Sequence, residues 1–102
     1  MPEGVNEKLL GLLGLANRAG KLAVGFRAVE RLVNRRENPL IIVATDIGAS
    51  QRNKVTNWQP VRGVIDGVLT GEEMAQILGR EKLVVVGLSD SGFCKGILKL
   101  GS

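Results

Sequence analysis

Arg27 and Arg31 stand four residues apart in a stretch with helical apolar spacing, and Gly20, Lys21 and Gly25 lie just before them. Residues at i and i+4 share one face of a helix, so the two guanidinium groups project together from its first turns. Guanidinium is a planar fork suited to phosphate oxygens or the edge of guanine. A helix start adds free amides and the positive end of the dipole, which also favour phosphate. The segment from Gly20 into this helix, with Lys21, Arg27 and Arg31, is therefore expected to cradle a bent polyanion backbone and to reach base edges.

Other chemistries find little support. The chain has no histidine and one cysteine, Cys94, which removes the commonest general base and metal ligand and leaves no thiol for an internal disulfide. Cys94 falls near the inward side of an amphipathic stretch and is expected to be a buried structural thiol rather than a nucleophile. Glu72 and Glu73 are adjacent carboxylates, but in Thr70-Gly71-Glu72-Glu73 they match a helix capping box. Gly14 to Lys21 invites comparison with a P-loop and fails. Five residues separate its glycines where four are required, Leu22 replaces the magnesium-ligating Ser or Thr, and a helix precedes it where a strand should. No catalytic residues, no metal site and no cofactor are expected.

The charge is regional. Residues 18 to 54 carry eight basic residues (Arg18, Lys21, Arg27, Arg31, Arg35, Arg36, Arg52, Lys54) against Glu30, Glu37 and Asp46, whereas residues 55 to 102 balance at five of each sign. A localised basic excess attracts polyanions and makes affinity fall with salt. Six of the eight are arginines, which favours nucleic acid as the partner.

The elements that must position these groups follow from periodicity. Asn6 to Arg18 carries a wide leucine stripe at helical spacing, stopped by Gly20. Lys21 to Val24 is briefly extended, and Gly25 opens a second helix with Val29, Leu32 and Val33 inward. Leu40 to Ala44 and Lys82 to Leu88 are continuous apolar runs, expected as strands buried on both faces. Ala49 to Trp58 is weakly helical, and Val61 to Leu69 is a less regular extended segment broken by Gly63 and Gly67. Thr70 caps a short helix with Met74, Ile77 and Leu78 inward. Ser89-Asp90 caps a last helix with Phe93, Ile97 and Leu98 inward. This alternation predicts an α/β fold, a three-layer α/β/α sandwich with a small mixed sheet of about four strands.

Several of these stretches resemble a known family. Lys8 to Leu22, with Ala-Asn-Arg-Ala-Gly-Lys its most specific part, the Gly25 helix start, the Leu40 to Asp46 strand, the Thr70 to Met74 box, and Lys82 to Asp90 followed by Ser91-Gly92-Phe93 resemble the bacterial YlxQ-like proteins. These belong to the kink-turn-binding ribosomal protein superfamily. The resemblance implies RNA bound at one end of the sheet, by the loop before the second helix, that helix's N-terminus and the loop before the last strand. The superfamily's Gly-x-Asn-Glu-x-x-Lys helix start falls on Gly25, with Arg27 at the asparagine, Ala28 at the glutamate and Arg31 at the lysine. Ala28 has no acceptor for a base edge, and a bidentate contact is worth about 1–3 kcal/mol of discrimination, so the departure bears on strict kink-turn readout, and the expected ligand is a structured RNA, kink-turn or internal-loop-like. Leu78 to Val84 would be the second loop, an apolar cover over a flipped-out nucleotide flanked by two cations. The implied RNA-binding set is Arg18, Lys21, Gly25, Phe26, Arg27, Ala28, Arg31, Arg80, Lys82 and Leu83.

With 102 residues, 44% of them hydrophobic and 24% charged, residues 1–102 are expected to form one RNA-binding domain. No window approaches the roughly 20 apolar residues that span a membrane, and no charged segment followed by an apolar run opens the chain. A cytoplasmic monomer is expected, non-catalytic, partnered by ribosomal or structured messenger RNA and associated with the ribosome. The alternative is a protein-interaction adaptor of the same fold, anchored by exposed Phe26 and Trp58.

Overall fold

A computed structural model of the protein describes residues 4–100. The elements run α1 (Val5–Arg18), β1 (Ala23–Val24), α2 (Phe26–Asn34), β2 (Leu40–Val43), α3 (Ala49–Thr56), β3 (Gly63–Ile65), α4 (Gly71–Leu78), β4 (Val85–Leu88) and α5 (Ser91–Lys99). The strands form one sheet in the order β1-β4-β2-β3; β2 and β3 are parallel, and β4 is antiparallel to both its neighbours.

The two central strands are buried at every position, as their unbroken apolar runs require. Alternation sends Leu40 and Ile42, with Val86 and Leu88, to a cluster with Leu9, Leu13, Met74 and Ile97, while Ile41, Val43 and Val85 meet Val29, Val33 and Val55 on the other face. Thus α1, α4 and α5 cover one face and α2 and α3 the other, the three-layer sandwich expected from the sequence. Gly87 belongs to this packing: a Cβ there would lie 3.1 Å from Val29 Cγ1, so a side chain would push α2 off β4.

Three expectations on local structure are corrected. The last strand begins at Val85 rather than Lys82, because residues 80–84 run back beside α4 before joining the sheet. The extended segment from Val61 shortens to Gly63–Ile65. Ile77 and Leu98, placed inward by periodicity, are each 48% exposed, since helices of eight and nine residues on a small sheet bury only a narrow stripe.

Candidate nucleic-acid interface

The strand directions decide which loops meet. Because β1, β2 and β3 run one way and β4 the other, the carboxyl ends of the first three and the start of β4 share one end of the sheet. The segments leading into α2, α3 and α4 all leave from that end, the position where open α/β sheets collect their ligands. Thr70 and Glu73 cap α4 internally, through a complete capping box. By contrast α2 and α3 start at Gly25 and Gly48, with no side chain accepting from their first amides. Uncapped amides at a positive dipole end are an anion site in waiting.

Gly25 fixes where α2 starts. Its φ of 98° and ψ of 159° lie in a region essentially closed to residues with a Cβ, and its N–H donates to Val85 O at 3.0 Å. The first turn of α2 is thereby tied to the first residue of β4. Arg27 and Arg31 are exposed and together, with Arg31 Nε donating to Arg27 O at 3.4 Å. They form one wall of a groove of about 670 Å³ whose lining is Phe26, Arg27, Glu30, Arg31, Gln51 and Lys54. The opposite wall comes from α3, where Lys54 Nζ stands 6.0 Å from the centre of the Phe26 ring. Phe26 packs against Trp58 at 4.9 Å between ring centres. Both rings are half-buried in the smaller core cluster, so they are not the exposed anchors expected of an adaptor. Ala28, half-buried, contributes no polar group.

The segment before β4 supplies less than expected. Arg80 and Lys82 are exposed and line a second groove, but Asp46, Glu72 and Glu81 line it with them. Leu83 is 6% exposed and packed in the larger core cluster, so it is no cover for an extruded base. A close backbone contact holds it there. A Cβ on Gly71 would lie 2.4 Å from Leu83 O, and Gly71 N–H donates to Asp46 Oδ1 at 2.8 Å.

Arg18 and Lys21 are placed elsewhere. Gly20, at φ 72°, ends α1 with its N–H donating to Asn17 O and that of Lys21 to Ala16 O, at 3.0 and 2.8 Å. This is a Schellman stop, so the Ala-Asn-Arg-Ala-Gly-Lys stretch closes a helix rather than cradling a phosphate. Arg18 and Lys21 complement the negative end of that dipole. Lys21 also lines a cleft with Glu37, Ser89 and Asp90 at the far end of β4 from Val85. Arg52 is engaged by Asp66 and reaches Thr45 O at 3.5 Å.

Gln51 and Lys54 were not singled out by the sequence. Their helix is polar nearly all round, so no amphipathic pattern marked a face. The Gln51 to Lys54 spacing of i, i+3 was the available signal. Among the described residues no cluster of His, Cys, Asp or Glu could hold a metal.

A small three-layer α/β/α protein, with two uncapped helix starts and a cationic groove at the carboxyl ends of its strands, is the class these features define. The chain belongs to the Ribosomal protein L7Ae/L30e/S12e/Gadd45 family, which it matches over residues 7–98. It is 32% identical over 96 residues to the RNA-binding protein YlxQ of Enterococcus faecium, covering 93% of this chain and 92% of that one. It is 31% identical over 94 residues to the RNA-binding protein YlxQ of Bacillus subtilis strain 168, covering 87% and 90%. Among solved structures, a protein of unknown function from Bacillus halodurans C superposes with a TM-score of 0.78 at 30% identity, over 91% of this chain and 95% of that one. The Giardia lamblia 15.5kD RNA binding protein superposes with a TM-score of 0.72 at 13% identity, over 98% and 87%, a likeness of fold alone.

Proposed function

We infer that this chain is a non-catalytic, cytoplasmic RNA-binding module that takes a kinked or internally looped RNA at the strand-end face and works as a monomer in association with the ribosome. The uncapped start of α2 flanked by exposed Arg27 and Arg31 is the observation that carries this reading. The two YlxQ relatives, both RNA-binding proteins by name, and the family's ribosomal members support it. Arg27 and Ala28 replace the asparagine and glutamate of the superfamily's helix start. Phosphate contact and stacking of guanidinium on an unpaired base are left as the principal interactions, and both tolerate sequence variation.

The test is an electrophoretic mobility-shift titration of a kink-turn hairpin RNA at several salt concentrations. Arg27→Ala with Arg31→Ala should weaken binding at least about tenfold and flatten the salt dependence by about two phosphate contacts, while the circular dichroism spectrum stays unchanged. Equal affinity and equal slope for the double variant would overturn the site.

A further inference from the structure

We propose that the groove between α2 and α3 is a second RNA subsite, which holds the phosphodiester backbone of the strand running on from the α2 N-terminus, with Lys54 and Gln51 as its contacts. The inference rests on the RNA-binding reading above and extends the footprint beyond it.

Three grooves lined by the described residues differ in charge. The α2–α3 groove carries Arg27, Arg31 and Lys54 against Glu30 alone. The groove beside residues 80–84 sets Arg80 and Lys82 against Asp46, Glu72 and Glu81, and the cleft at the other end sets Lys21 against Glu37 and Asp90. Only the first has a cationic excess, and a polyanion strand is attracted there and repelled from the others. Its cations are also not neutralised by a carboxylate. Among the described residues the ion pairs are Arg35 with Glu37 and Arg52 with Asp66, and none involves Arg27, Arg31 or Lys54.

Geometry links the groove to the α2 start. Arg27 and Arg31 belong to both, so a backbone held at the helix start passes directly between the two walls. Gln51 and Lys54, three residues apart on one face of α3, then offer an amide and an ammonium to successive phosphates or 2′-hydroxyls. The Phe26 ring fixes the groove floor and sets the Lys54 ammonium above it. Trp58, packed on Phe26, is a positioning residue for that floor.

The test compares two kink-turn hairpin RNAs that differ only in the length of one flanking helix, short or extended by about one turn. Both positions lie outside the core, Lys54 exposed and Gln51 half-buried, so Lys54→Ala with Gln51→Ala leaves the core intact. This double variant should bind the extended RNA about five- to tenfold more weakly, with a salt slope lower by about one unit, and bind the short RNA as the parent does. Lys54→Arg with Gln51 retained should keep the affinity for the extended RNA. If the double variant matches the parent on the extended RNA while Arg27→Ala with Arg31→Ala still weakens both RNAs, the subsite is wrong and the RNA-binding reading stands. If the parent binds neither RNA more tightly than an unstructured oligonucleotide, both fall. Polyglutamate competing through Lys54 as strongly as RNA does would assign the groove to an acidic protein and overturn the proposal.

Discussion

One absent methyl group, at Gly71, lets two segments of the strand-end face touch. A Cβ there would lie 2.4 Å from Leu83 O, closer than real contacts allow, and the obstacle is backbone rather than a flexible side chain. Either α4 or residues 80–84 must shift to admit it. Gly71→Ala should therefore cost roughly 1–3 kcal/mol, read as a lower urea midpoint. An unchanged midpoint would show that the contact is slack. At this scale the sequence was legible where one physical cause sets the pattern. The i, i+4 spacing of Arg27 and Arg31 predicted their shared face, and the structure brings them together. Gly20-Lys21 was ambiguous because a glycine beside a lysine serves a helix stop as well as a phosphate loop, and only the hydrogen bonds from Gly20 and Lys21 decide for the stop. Leu83 belongs to an apolar run that alone does not distinguish a cover from a core residue. Lys54 and Gln51 had their i, i+3 spacing as the one local signal, since the groove they line exists only once α3 packs beside α2.

Among the elements, α4 and α2 show two ways to begin a helix. Thr70 Oγ1 accepts from Glu73 N at 3.1 Å while Glu73 Oε1 accepts from Thr70 N at 2.9 Å, so α4 satisfies its own first turn. Removing the hydroxyl with Thr70→Ala should cost about 1 kcal/mol in thermal or chemical denaturation. RNA affinity should stay level, because that hydroxyl is turned to its own helix and not to the groove. A loss of RNA binding comparable to that of the arginine double variant would mean that α4 contacts the ligand. The capping box was legible as a four-residue pattern, and so were β2 and β4 as unbroken apolar runs. The start of β4 was not. Lys82 to Val84 has strand-like composition, but Gly25 N–H pairs with Val85 O, and the ladder with β2 begins at Val85 opposite Val43. Strand ends depend on partners distant in sequence, which a local pattern does not carry. The same holds for α2, whose open N-terminus is visible only as the glycine standing where a capping side chain would be.

Over the whole molecule, the site face is positioned by a sheet gripped between two apolar clusters, and Cys94 reports on the larger one. Its side chain is fully buried, in contact with Leu88 O at 3.4 Å through Sγ. Burial withholds water from the thiolate and raises the pKa above the ordinary value of 9.0, outweighing the opposing pull of Arg62. The folded chain therefore keeps the thiol proton at pH values where the unfolded chain loses it. The associated stability is complete below the unfolded value and declines as pH rises above it. The urea midpoint should accordingly fall more between about pH 8 and about pH 10 in the parent than in Cys94→Ala. The comparison of slopes cancels whatever the lost sulfur costs in packing, because that cost does not depend on pH. Iodoacetamide should label Cys94 only through opening of the α1, α4 and α5 layer, so its rate should rise with urea in step with unfolding. Rapid labelling in native buffer, or parallel pH profiles for parent and variant, would mean that this layer opens locally. The helix-covered sheet would then not be the rigid support on which a preformed docking face depends.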